Sequence, residues 1–243
     1  MKLASFDIEL STAIPDGDFN RDILKNTGVS CAAIALSDKD NIIVYEGDPE
    51  LTVLQSQNLV KKLDTLQEEG YGIVTWNGCS FDFQVLAHNA KTFDKCAQLA
   101  LSHHDLMLYI TFQKGWYLAL EKALHGANLK GKLKKVNLSD GTILDNMNGA
   151  RAPELWSKGE KEAVIEYLKQ DVKQQLELAI WISSHNKICW TSNSGKPWSL
   201  PIKKLYTVQE CFNFPLPDVS WMDNPPERSQ FVDWMPSGLR PQT

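Results

Sequence analysis

Leu3-Ala4-Ser5-Phe6-Asp7-Ile8-Glu9-Leu10 decides how this chain is read. It is an apolar stretch carrying two acids, and its length and composition predict a buried β-strand over residues 2–9. Side chains two apart on a strand share a face, so Asp7 and Glu9 point the same way. Burying a carboxylate in apolar surroundings is costly unless something neutralises it. A metal ion shared by both acids would do so. By itself, Asp-x-Glu is equally well read as a solvated strand edge; Phe6, Ile8 and Leu10 around it argue against that.

Working outward, residues 29–37 and 42–45 read as two further strands, with a turn at Asp38-Lys39-Asp40-Asn41. The three make an antiparallel meander. Residues 52–69 place Leu54, Leu59, Leu63 and Leu66 at helical spacing among Lys and Glu. Gly70 and Gly72 stop that helix, and Ile73-Val74-Thr75-Trp76 begins a strand again. A helix between strands is a crossover, which predicts a parallel pair. From residue 80 to about 121 the pattern is helical, broken near His103-His104-Asp105, where Asp105 can cap the next helix. Residues 126–149 read as loop. Pro153 starts a short helix, and Ser157 is expected to cap a long one reaching about residue 184. Residues 188–200 read as a hairpin turning at Asn193-Ser194-Gly195-Lys196. Beyond residue 201, prolines with Trp221 and Trp234 suggest an extended tail held on the domain by aromatics, with partial disorder as the alternative. Trp190 and Trp198 are expected to staple the hairpin. The division expected is a domain over 1–187 and a hairpin and tail over 188–243. No internal repeat is evident.

Two more acids stand out. Asp82 ends Asn77-Gly78-Cys79-Ser80-Phe81-Asp82, just after a strand, where open α/β sheets place their sites; helix-start stabilisation is the plainer role. Tyr167 and Asp171 lie four apart on the long helix, hence on one face; a core hydrogen-bonded pair is the plainer reading there. His103, His104, Asp105 and His125 read as a cap region rather than a transition-metal site. Trp116-Tyr117 reads as core, with a wedge at a duplex fork as the alternative.

The three motifs in this order, Asp-x-Glu, Asn-x-x-x-Phe-Asp and Tyr-x-x-x-Asp, resemble the DEDD 3′–5′ exonuclease superfamily, and Tyr167 points to its tyrosine subgroup, DEDDy. The second motif looks most like that of proofreading domains of family-B DNA polymerases and their stand-alone bacterial relatives. The resemblance covers roughly residues 1–185. It implies an α/β ribonuclease H-like fold: a mixed central sheet, antiparallel meander plus parallel strands, flanked by helices, followed here by the hairpin and tail. It implies a metal-dependent 3′–5′ exonuclease releasing nucleoside 5′-monophosphates. Asp7 would bridge two ions, Glu9 and Asp171 would complete one ion's site, Asp82 would hold the other, and Tyr167 would orient the attacking water. Acids without His or Cys favour Mg²⁺ or Mn²⁺, and two such ions clamp the attacking and leaving oxygens of an in-line displacement.

The expected partner is a single-stranded 3′ end, DNA before RNA. Ile8 and Leu10 would approach the terminal sugar, Asn77 the scissile phosphate and Phe81 the terminal base; closing the turn at Gly78 is the plainer role for Asn77, and core packing the alternative for Phe81. Lys130, Lys132, Lys134 and Lys135, the one dense basic run, would track the strand from a mobile loop or simply be solvated. An exoribonuclease and an inactive binding module of the same fold are the alternatives.

The bulk composition agrees with these readings. The chain has 243 residues, a net charge of −5, 43% apolar and 23% charged residues, as expected of an ordinary globular protein and not of a non-specific polyanion binder. No apolar run reaches the length of a membrane span. Asp7 and Glu9 interrupt the first apolar stretch, which argues against a signal peptide. Five scattered cysteines without a Cys-x-x-Cys pair argue against a disulfide framework or zinc ribbon and for a reduced, cytoplasmic setting.

Overall fold

A computed structural model describes residues 1–14, 21–192 and 194–242. Its centre is a five-stranded sheet in the order β3-β2-β1-β4-β5, formed by β1 (Lys2–Leu10), β2 (Val29–Leu36), β3 (Ile43–Glu46), β4 (Tyr71–Thr75) and β5 (His104–Asp105). β1, β2 and β3 pair antiparallel, while β4 pairs parallel to β1 and β5 parallel to β4. This is the mixed sheet that the sequence led us to expect. β2 is buried along its whole length, as suits a strand covered on both faces.

The crossover from β3 to β4 is α1 (Val53–Glu68). Thr52 and Gln55 form a reciprocal capping box at its start, and Leu59, Leu63 and Leu66 are its buried stripe. Then follow α2 (Asp82–Ala90), α3 (Phe93–Ser102), α4 (Leu106–Lys114) and α5 (Leu120–Gly126). After them come a small hairpin, β6 (Lys135–Asn137) with β7 (Ile143–Asp145), then α6 (Ala152–Ser157) and the 25-residue α7 (Lys161–His185).

The alternation of β1 sorts the two faces of the sheet. Phe6 meets Phe83 of α2, with ring centroids 5.6 Å apart. Ser5 and Asp7 point the other way and both contact Gln175 of α7. So α2 covers one face and α7 the other, and the acids of β1 look toward α7.

β8 (Lys187–Thr191) and β9 (Pro197–Pro201) form the expected hairpin; Asn193 of its turn lies outside the described residues. The backbone of β8 comes close to α5 at Gly126, where a Cβ would stand 2.3 Å from the Cys189 carbonyl oxygen. A short helix, α8 (Val208–Cys211), follows. Farther on, Phe231 is fully buried and the Trp234 indole donates to the Cys79 carbonyl at 2.8 Å.

Several expectations change. Residues 126–149 are not all loop: Lys135-Val136-Asn137 alternates about the buried Val136, and Asp140-Gly141 turns the chain, with Gly141 at φ 84°. Ser157 ends α6 rather than capping α7, because Gly159 at φ 84° intervenes and α7 starts after Glu160. His104-Asp105 is a two-residue strand as well as a helix break. Trp198 and Trp221 are 55% and 67% exposed, so of the four tryptophans only Trp190 and Trp234 are packed as staples.

Candidate active site

The pairing of β4 with β1 runs only from Lys2 to Ser5. Past Ser5, β1 continues without β4 beside it, and a pocket of about 330 Å³ opens there. Asp7, Glu9, Asp82, Tyr167 and Asp171 all line it, as do Ile8, Leu10 and Phe81. Elements far apart in sequence therefore deliver the acids to one crevice at a strand end, the usual site position in open α/β sheets.

Asp82 is placed by the turn joining β4 to α2. Asn77 takes a left-handed conformation, φ 73°, which Asn tolerates better than most residues. Its side-chain oxygen accepts from the Ser80 hydroxyl at 2.6 Å. Gly78 is required next: a Cβ would lie 2.4 Å from the Thr75 hydroxyl oxygen. The buried Asp105 carboxylate accepts from the backbone N–H groups of Asn77 (2.9 Å) and Cys79 (3.0 Å), and also from Leu108 (3.0 Å), capping α4. Asp82 then accepts from the Ile8 N–H at 3.1 Å, a donor that β4 no longer reaches. Asp7 accepts from the same N–H at 3.0 Å.

On α7, Tyr167, Asp171 and Gln175 repeat every four residues and stay on one face. The Gln175 amide donates to Asp7 at 2.8 Å, and its oxygen accepts from the Ser5 hydroxyl at 3.3 Å. Lys132 reaches in from the loop after α5. Its ammonium lies 2.5 Å from Asp171 Oδ2 and 5.1 Å from the centre of the Tyr167 ring. Asp171 Oδ1 is buried without a partner.

The charge state follows from burial. Glu9, Asp82 and Asp171 are 6%, 3% and 2% exposed. Desolvation, then Asp171, raises the Asp7 carboxyl to about 6, with Lys132 opposing. Desolvation, then Asp7, holds Glu9 and Asp82 well above the usual carboxylate range. Desolvation also raises Asp171, although Lys132 pulls against it. Burial disfavours the Lys132 ammonium, but Asp171, Asp7 and Glu9 outweigh it and keep the charge. Burial, then Asp171, pushes the Tyr167 hydroxyl far up, so it remains a proton donor.

The donor set suits a hard divalent cation: oxygen ligands only, one of them an orphaned buried carboxylate oxygen. Among the described residues, no three His, Cys, Asp or Glu are already gathered as a ligand cage. The Lys132 ammonium and the Gln175 amide instead hold Asp171 and Asp7 in place.

The remaining candidates separate. Ile8 and Leu10 are buried in the pocket wall and Phe81 is half-buried there. Asn77 spends its side-chain oxygen on its own turn. The four lysines do not act as one patch: Lys134 pairs with Glu121 at 3.7 Å, Lys135 pairs with Asp145 at 2.9 Å, Lys130 is exposed, and only Lys132 joins the acids. Their loop is tied down, since the Lys132 N–H donates to Glu121 and Gln174 donates to the Gly131 carbonyl. Gln175 escaped the sequence reading, although its signal was present: a polar residue four past Asp171 on the buried face of α7. His103 is core, bonded to Thr75 and Ala100 and held neutral by burial, its pKa lowered to about 3.

A family model described as the RNase H superfamily matches residues 24–183. That span includes Asp82, Tyr167 and Asp171 and begins after β1. No curated protein matches the chain. Solved structures that resemble it include E. coli exonuclease I with a dT13 oligonucleotide (13% identity, 75% of this chain and 41% of that one, TM-score 0.39). A product-bound exonuclease I (13%, 75% and 43%, 0.37) and an apo exonuclease I (11%, 75% and 42%, 0.35) are similar. The chain spans about two fifths of the length of those proteins.

Proposed function

The chain belongs to the RNase H superfamily, and from that premise we propose that it is a metal-dependent 3′–5′ exonuclease of the DEDDy type. It acts on single-stranded nucleic acid, DNA in preference to RNA. The observation that carries the reading is the convergence of Asp7, Glu9, Asp82, Asp171 and Tyr167 on one pocket.

Asp7, Glu9, Asp82 and Asp171 would hold Mg²⁺ or Mn²⁺, two ions in all. When bound, such ions supply positive charge to the phosphate and lower the pKa of water. The protein's own part is placement. The Ile8 N–H fixes Asp7 and Asp82 against each other. Gln175 orients the other oxygen of Asp7. Tyr167, protonated, donates a hydrogen bond to the attacking water and is no general base. Lys132 offsets part of the negative charge of the acids. Ile8, Leu10 and Phe81 give the terminal nucleotide an apolar wall, and about 330 Å³ is a small-ligand volume. The attacking water gives up a proton to solvent as its oxygen adds to phosphorus, the bond to the 3′ oxygen of the penultimate nucleotide breaks, that oxygen takes up a proton from solvent, and a nucleoside 5′-monophosphate leaves. The catalytic unit is residues 1–187, with the hairpin and tail packed on it.

Matched DNA and RNA oligonucleotides labelled at the 5′ end test this. With Mg²⁺ or Mn²⁺ the reading expects a ladder shortening one nucleotide at a time, faster for DNA. Faster RNA shortening moves the assignment to an exoribonuclease; no shortening of either overturns it.

A further inference from the structure

Outside the acid pocket, the 114–122 segment and the β8–β9 hairpin enclose a groove of about 470 Å³. Its walls carry Trp116, Tyr117, Trp190 and Trp198, together with Lys114 and Lys122, and no acid among the described residues that line it. Trp116 and Trp190 pack edge to face, centroids 5.6 Å apart, and form the floor. Trp198 is 55% exposed, and Tyr117, whose ring lies 6.0 Å from that of Phe231, is 50% exposed. A π-face in water beside ammonium groups is the combination by which proteins hold single-stranded nucleic acid: bases stack and phosphates meet the cations.

The groove adjoins the acid pocket through α5. Leu120 lines the pocket, and Lys122 lines the groove. Two residues on a helix differ by about 200° around its axis, so these side chains leave α5 on opposite sides. α5 is thus the wall between the two cavities. A helix with side chains is roughly 10–12 Å across, and a stacked strand advances about 3.4 Å per nucleotide. A strand leaving the acid pocket reaches the groove after about three nucleotides.

Resting on the nuclease reading above, we propose that this groove is a second contact for the single-stranded substrate. It takes bases on the 5′ side of the terminal nucleotide by stacking on Tyr117 and Trp198, with phosphates beside Lys114 and Lys122. The groove makes long strands better substrates than very short ones.

The test compares kcat/KM for a twelve-nucleotide and a two-nucleotide oligothymidylate, the shorter being unable to cross α5. In Trp198→Ala the ratio of the long to the short substrate falls about fivefold or more, the loss of one stacked base. Tyr117→Ala lowers the same ratio. Trp198→Phe, which keeps a π-face, restores most of it. General damage to the fold lowers both substrates together and leaves the ratio intact, so an unchanged ratio in the alanine variants overturns the groove while the exonuclease stands. If the wild-type protein hydrolyses neither strand, the DNA-exonuclease reading fails and the groove fails with it.

Discussion

The Lys132 ammonium lies 2.5 Å from one oxygen of Asp171, whose other oxygen is buried without a partner. One cation thus faces four carboxylates, and it is the only Lys, Arg or His among the described residues lining their pocket. Breaking such a pair leaves a buried charge that nothing offsets. Lys132→Met is therefore expected to lower the stability of the metal-free protein by about 2–4 kcal/mol. Because a divalent cation binds only the folded acids, it should raise the melting temperature of this variant more than that of the wild type. Melting with EDTA and with Mn²⁺ checks both; equal melting of variant and wild type in EDTA contradicts the role given to Lys132.

Asp7 sets a pH dependence of unusual sign. Its carboxyl is raised from 3.8 to about 6 in the folded protein. The folded state keeps a proton that the unfolded chain has already lost, so stability falls as pH rises from about 4 to 6 and stays lower above. Asp7→Asn is free of this loss. Its stability relative to wild type should increase between pH 4 and 7 by on the order of 2 kcal/mol without metal, and Mn²⁺ should narrow the gap. Denaturant titrations at the two pH values measure it, and a gap independent of pH is the contrary result.

Tyr167 and Asp171 share one face of α7 but are assigned different work. Tyr167→Phe keeps the ring and the acids and removes one hydrogen bond, so hydrolysis should drop by roughly 10–100-fold. Asp171→Asn alters the ion site and should cost far more. A Tyr167→Phe loss as large as that of Asp171→Asn, seen in single-turnover rates, would show that the phenol does more than position water.

Asp105 holds the turn that delivers Asp82. Its carboxylate accepts three backbone N–H groups, and Asp105→Asn turns an amide N–H₂ toward one of those donors. A stability loss of about 1–3 kcal/mol is expected, with a fall in kcat that persists well below the melting temperature because Asp82 is displaced. Loss of stability with full kcat at low temperature would confine Asp105 to a structural role.

The strands around Asp7 and Glu9 were legible because apolar runs, turn residues and acids two apart carry local information. So was the face shared by Tyr167 and Asp171, which follows from helical period alone. What was not legible depended on long-range contacts. Lys132 looked like one of four equivalent lysines, and only the anchoring of its loop on Glu121 and Gln174 turns it inward. Gln175 matters because Ser5 and Asp7 of β1 face it on the side of the sheet that α7 covers. Asn77 looked like a substrate contact, yet its left-handed backbone and the Ser80 hydroxyl commit it to the turn. The exposure of Trp198 could not be read from a Trp in a hairpin, since its cross-strand partner Trp190 is the buried member of the pair.

The most direct test of the central claim is hydrolysis of a 5′-labelled single-stranded DNA oligonucleotide by purified wild-type and Asp7→Ala protein, with Mn²⁺ and with EDTA. The account predicts stepwise shortening from the 3′ end and nucleoside 5′-monophosphate release by the wild type with Mn²⁺ alone, and none by Asp7→Ala under either condition. Substantial shortening by Asp7→Ala, or by the wild type in EDTA, would contradict it.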